Sequence, residues 1–198
     1  MIVYPAAIPK ELCNEVYRWA TSIVLTCGHT EPVVMWSNYS WRSDIIRDST
    51  PVFCLVLNER LTNAVYEHLF RMGLGNSRST FVNDGKHGRI MAYVWTKGSY
   101  IPGHFDNGKD ETIDTERKTV TIYTNPEWDI TCGGLFQYHN ASTGRWDSLV
   151  PTQGMLIHND KNEFHMTTPV MTNRLLRVSI QSFISEAERP QIPIERTK

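Results

Sequence analysis

Cysteine is scarce in this chain and never comes in close pairs. Cys13, Cys27, Cys54 and Cys132 are four scattered residues among 198, with no Cys-x-x-Cys spacing. That offers neither a thiolate motif nor a disulfide framework, and the expectation is free thiols in a reducing cytoplasmic setting. Surplus positive charge is lacking too: 20 Lys and Arg stand against 21 Asp and Glu, a formal net charge of −1. A protein built to grip a phosphate backbone carries a basic excess, so no nucleic acid partner is expected. The opening MIVYPAAIPKELCNEV has no basic n-region and no long apolar h-region, and no apolar run reaches membrane-spanning length. A monomer without a membrane partner is expected, and the sequons NYS and NAS are then idle. Internal repeats, low-complexity segments and linkers are missing as well. What is present is an ordinary globular composition, 40% hydrophobic and 21% charged, long enough for a single domain with a real core.

Two helices are legible, both in the first half. From Pro9, the residues Leu12, Val16, Trp19, Ala20 and Ile23 recur at spacings of three and four, as on one helix face. A second helix is predicted from an N-cap at Thr50 with Pro51 in its first position, running through Leu61, Val65 and Leu69 to Gly73. Between them EPVVMWSNYSWRSD is irregular and aromatic, suited to a lid, a peptide groove or core packing. Beyond residue 79 the texture changes to short β-rich runs: RIMAYVW, KTVTIYT, GLFQYHN, GMLIHN and LLRVSIQSF, separated by TKGS, NPEWDITCGG, NASTGRWD and PTQG. No helix separates these runs, which argues against a parallel sheet. The expected fold is α+β, mostly β: an antiparallel sandwich or jelly roll (double-stranded β-helix) with one sheet supported by the helices. The predicted layout is a helical support region at 1–85, a jelly-roll core at 86–184 and a tail at 185–198.

In GSYIPGHFDN an extended backbone puts His104 and Asp106 on the same side, because strand side chains alternate. The pair is half of a metal site or two unrelated polar residues on a wet sheet face. A jelly roll brings distant segments together, so a third ligand is sought downstream. His165, in NEFHMTTPV ahead of the last strong strand, is the candidate, while His139 and His158 are read as rim or loop residues. Two imidazoles and one carboxylate with open coordination positions suit non-haem Fe(II). In the last strand Arg177, Ser179 and Gln181 share one face, and Leu176, Val178 and Ile180 the other. A buried arginine there needs an anion, and its planar fork matches a carboxylate. A solvated surface face is the alternative.

Five segments together carry a resemblance: YVWTKGSYIPGHFDN, KTVTIYTNPEW, CGGLFQYH, FHMTTPV and LRVSIQSF, in that order. The sequence resembles the Fe(II)/2-oxoglutarate-dependent dioxygenases, particularly their prolyl-4-hydroxylase-like branch, over roughly residues 88 to 184. The resemblance implies that His104, Asp106 and His165 are the metal ligands and the catalytic centre. It implies that Arg177, with Ser179 and Tyr123, binds the distal carboxylate of 2-oxoglutarate, and that Tyr93 adds a further contact. Trp128 and Gly133-Gly134 have structural roles in this pattern. The implied cofactors are Fe(II), 2-oxoglutarate as cosubstrate, O₂ and, as an accessory reductant, ascorbate. The implied reaction is hydroxylation with release of succinate and CO₂, on a prolyl residue of a peptide or protein. The alternatives are a small-molecule or free amino acid hydroxylase, or a non-catalytic jelly-roll binding module. One departure concerns the anchor: Arg177 stands twelve residues after His165, and Arg174 competes at nine. Side-chain alternation favours Arg177, since only its face has a hydroxyl two residues along.

Overall fold

A computed structural model describes residues 1–26, 34–35, 52–83, 86–106, 118–159 and 163–184. Its strands, in chain order, are β1 (Ile2–Tyr4), β2 (Val34–Met35), β3 (Val52–Val56), β4 (Phe81–Asn83), β5 (Lys86–His87), β6 (Met91–Trp95), β7 (Ile101–His104), β8 (Lys118–Tyr123), β9 (Phe136–Asn140), β10 (Arg145–Leu149), β11 (Leu156–Asn159), β12 (His165–Thr167) and β13 (Arg177–Ile184). They form two sheets. The larger runs β1-β11-β8-β13-β6-β3-β2, with β4 pairing β13 and β5, and the smaller runs β10-β9-β12-β7. Every paired strand is antiparallel. This is the double-stranded β-helix expected from the run of short strands.

The larger sheet is apolar on both sides, and each side has its own reason. One side carries Leu55, Ala92, Val94, Val120, Ile122, Leu156, Val178 and Ile180 against helices α1 (Lys10–Thr26) and α2 (Glu59–Arg71). In α2, Leu61, Val65 and Leu69 are fully buried at i, i+4, i+8 spacing, each contributing roughly 1.5–3 kcal/mol of burial. In α1, Leu12, Cys13, Val16 and Ala20 make the matching stripe. Burial pushes the Cys13 thiol up to about 11, which leaves it an inert core residue. Cys54 and Cys132 are also buried. The other side of the sheet faces the small sheet through Val52, Cys54, Tyr93, Trp95, Tyr123 and Ile157, with polar residues set among them. No helix among the described residues is long and apolar enough to cross a membrane.

The structure corrects several expectations. The helix expected from Thr50 begins eight residues later: Val52–Val56 is a strand, and Asn58 caps α2 by accepting from the Leu61 N–H at 3.0 Å. Thr50 and Pro51 lie outside the described residues. VFCLV is a continuous apolar run, which suits a strand covered on both faces, and pairing with β6 settles its state. The region 1–85 is not helical throughout, since β1, β3 and β4 join the large sheet. NASTGRWD is a turn only at its start. The Thr143 and Gly144 N–H groups close it on the Asn140 carbonyl, and Arg145–Leu149 returns as an edge strand. His139 and His158 are strand residues rather than rim or loop residues: His139 lies in β9, and His158 is buried in β11. The tail at 185–198 and most of the aromatic segment at 31–44 lie outside the described residues.

Candidate active site

His104 ends β7 and Asp106 follows two residues later, so both aim into the space between the sheets. His165 opens β12 directly opposite His104 in the pairing of the two strands, which sets the rings 4.4 Å apart. The His104 Nε2 lies 3.7 Å, and the His165 Nε2 3.6 Å, from the Asp106 Oδ1. One donor atom from each residue falls within 4.8 Å of the other two.

Hydrogen bonds fix which atoms face the centre. The His104 Nδ1 lies 2.9 Å from the Pro102 carbonyl, and the His165 Nδ1 lies 2.8 Å from the Glu163 carbonyl. A carbonyl only accepts, so Nδ1 carries the proton in each ring and the Nε2 lone pair is directed at Asp106. The Asp106 Oδ2 accepts from the Thr119 hydroxyl at 2.7 Å and from the Asn159 amide at 3.3 Å. Its Oδ1 is buried with no hydrogen-bond donor among the described residues. A buried carboxylate oxygen facing two imidazole lone pairs is repulsive unless a cation lies between them. This donor set fits a divalent metal with open positions, of the two-histidine, one-carboxylate kind.

A second polar cluster lies on the same inner side of the large sheet. β8 carries Thr119 and Tyr123 on one face, about 13 Å apart along the strand at ~3.3 Å per residue. Thr119 holds Asp106; Tyr123 lies beside Arg177. Arg177 is almost fully buried, and its guanidinium lies 4.7 Å from the Trp95 ring centre and 5.0 Å from that of Tyr123. Its Nε and Nη1, and the Tyr123 hydroxyl, have no hydrogen bond of normal geometry among the described residues. Burial pulls the guanidinium below its ordinary value, and the Tyr123 phenol opposes this. Burial pushes that phenol up to about 12, partly offset by the neighbouring positive charge. Ser179 is paired in register with both Tyr93 and Tyr123, so the three line up across β6, β13 and β8. The Ser179 hydroxyl accepts from the Trp95 indole at 3.1 Å, which leaves its own proton to donate. Arg174, the competing anchor, is exposed on the loop before β13.

The loops around this cluster are built to fit it. A Cβ on Gly134 would fall 2.7 Å from the Arg177 Cδ, and the residue has φ 59°, so glycine both turns the chain and makes room for the guanidinium stem. Trp128 is buried and donates to the Gly133 carbonyl at 3.0 Å. The Pro169-Val170 segment binds Gly134 through the Pro169 carbonyl, and Gly98 and Ser99 through Val170, holding the loops of both clusters together. Sequence reading passed over Thr119, Asn159, Trp95 and the role of Gly134. The only available signal was weak: Thr119 and Tyr123 are in phase in KTVTIY.

No protein-family profile and no curated protein matches the sequence. Solved structures do match. A prolyl hydroxylase from Trichoplax adhaerens, in complex with a hypoxia inducible factor oxygen degradation domain peptide, is similar with a TM-score of 0.68. The match covers 94% of this chain and 83% of that one, at 16% identity. SnoN, a non-heme alpha ketoglutarate dependent epimerase from nogalamycin biosynthesis, gives 0.63 over 93% and 78%, at 10% identity. A prolyl-4-hydroxylase from Pseudomonas putida gives 0.60 over 92% and 90%, at 15% identity. The chain shares the double-stranded β-helix fold of these oxygenase structures. At these identities the likeness is one of architecture, and the chemistry has to be argued from the side chains.

Proposed function

We propose that this chain is an Fe(II)- and 2-oxoglutarate-dependent dioxygenase that hydroxylates a prolyl residue in a peptide or protein. The carrying observation is that the inner side of the large sheet holds two buried groups of complementary chemistry. At one end the Asp106 Oδ1 faces two imidazole Nε2 atoms with no donor of its own, and at the other the Arg177 Nε and Nη1 have no acceptor, among the described residues. A metal ion and a short dicarboxylate relieve both.

His104, Asp106 and His165 would hold the metal, and 2-oxoglutarate with Fe(II) and O₂ supplies the oxidising power for C–H hydroxylation, with loss of succinate and CO₂. The chain's own groups orient and exclude. The carbonyls of Pro102 and Glu163 keep each Nδ1 protonated, so each ring presents Nε2. Thr119 and Asn159 hold one carboxylate oxygen of Asp106 and so turn the other inward. Arg177 offers Nε and Nη1 to the distal oxoacid carboxylate, flanked by Trp95 and Tyr123, whose rings keep water away. Tyr123 stays protonated across the physiological range, so its hydroxyl keeps a proton to donate to the same carboxylate. Ser179 and Tyr93 complete the donor row.

The prolyl preference follows the sequence resemblance and the fold shared with two prolyl hydroxylases. The equally extensive likeness to SnoN favours a second reading, a small-molecule substrate. Uncoupled 2-oxoglutarate decarboxylation with and without Fe(II), followed by proline-rich peptides, separates these. Iron-dependent succinate release that peptides stimulate supports the proposal. Iron-dependent release that peptides leave unchanged favours the small-molecule reading, and no release in any condition refutes both.

A further inference from the structure

Asn159 touches two of the three candidate ligands, directly in one case and through one backbone carbonyl in the other. It is buried at the end of β11. Its Nδ2 donates to the Asp106 Oδ2 at 3.3 Å and to the Glu163 carbonyl at 3.4 Å. Its Oδ1 accepts from the Glu163 N–H at 2.8 Å. That same Glu163 carbonyl lies 2.8 Å from the His165 Nδ1 and so sets the plane of the distal imidazole. Thr119, by contrast, holds only Asp106.

We infer that Asn159 is a positioning residue that couples the carboxylate ligand to the distal histidine, so that one amide sets the mutual orientation of both. The inference rests on the metal-binding reading of the site. An amide is the one uncharged side chain with two donors and an acceptor on a single plane, which is what this junction uses. His104 takes its orientation from its own strand, through Pro102 two residues earlier. His165 depends on a carbonyl held in place by the side chain that also grips Asp106. The bland alternative is a local staple in which Asn159 serves only to bind the Glu163 backbone.

Asn159→Asp separates the two, because it keeps the acceptor for the Glu163 N–H and loses the donor toward Asp106 and the Glu163 carbonyl. It also keeps the inference testable if Asn159→Ala fails to fold. Co(II) titration of the whole chain, followed by visible absorption, reads affinity and coordination. Outer hydrogen-bond partners of ligands are worth about 10–100-fold in metal affinity, and both variants should lose that much with an altered Co(II) spectrum. A second reading needs no metal: in isotope-labelled metal-free protein, the His165 Nδ1–H resonance should shift and exchange faster in both variants. Wild-type Co(II) affinity together with an unmoved His165 resonance in Asn159→Asp overturns the inference. Should the wild type bind no Co(II), the dioxygenase reading falls, and the imidazole resonance still decides whether Asn159 couples the two residues.

Discussion

The two ends of the proposed site, the His104-Asp106-His165 cluster and the Arg177 cluster, are held by different means. At the metal end, hydrogen bonds fix every ligand atom that does not face the centre: carbonyls on both Nδ1 atoms, a hydroxyl and an amide on the Asp106 Oδ2. At the arginine end, packing does most of the work, with two aromatic rings around the guanidinium and a glycine beside its stem. The metal end is thus oriented in advance, and a cation entering it has little left to organise. The arginine end is shaped but electrically incomplete, and the burial of its charge is offset only when an anion arrives. The difference predicts that damage at each end stays local.

The largest effect belongs to the proposed metal ligands. His104→Ala and Asp106→Ala should each abolish metal binding in an anaerobic Fe(II) titration, a loss well beyond the roughly 10–100-fold of an outer partner. Retained wild-type affinity in either variant would contradict the ligand assignment. Next comes the anchor. Arg177→Ala leaves an oxoacid carboxylate unpaired, costing on the order of 3–5 kcal/mol, or two or more decades in the 2-oxoglutarate requirement at roughly 1.4 kcal/mol each. Arg174→Ala, on the exposed loop, should change that requirement little. If the two behave the other way round, the anchor has been misassigned.

A sharper cut comes from Gly134→Ala. The added methyl meets the Arg177 Cδ at 2.7 Å, and overpacking of this kind costs about 1–3 kcal/mol. The 2-oxoglutarate requirement should rise about tenfold while Co(II) affinity and spectrum stay as in the wild type. Loss of metal binding in this variant would mean the two ends are not separate. A further effect is in alkaline stability. The buried Tyr123 phenol sits near 12 against 10 for the ordinary group, so the unfolded chain ionises first as pH rises. The contribution is intact below about pH 10 and lost as pH climbs through 12. Chemical denaturation across that window should show a falling stability, and a shallower fall in Tyr123→Phe. An identical slope in the variant would place the dependence elsewhere, for which Tyr66, also pushed up to about 12, and Cys13, pushed up to about 11, are candidates.

The same contrast explains what was legible in the sequence. His104 and Asp106 follow from a period of two carried just past the end of one strand, and the grouping of Arg177 with Ser179 from the same period within another. Helix α1 and the later half of α2 follow from a period near four. Thr119, Asn159 and Trp95 depend on which residue of one strand lies opposite another, and register between strands far apart in the chain leaves no local trace. The misplaced start of α2 has a related cause. Thr-Pro is a sound local N-terminal signal, but a five-residue apolar run is equally at home in a buried strand, and only pairing with β6 decides. The edge strand Arg145–Leu149 was hidden by polar composition, since its outer face meets no second layer among the described residues.

The most direct test is calorimetric titration of the metal-free protein under anaerobic conditions, first with Fe(II) and then with 2-oxoglutarate. One Fe(II) per chain should bind in the wild type and in Arg177→Ala alike, followed by one tight 2-oxoglutarate in the wild type and at least a hundredfold weaker binding in the variant. Equal 2-oxoglutarate affinity in the two proteins, or no Fe(II) binding in either, would contradict the two-ended site.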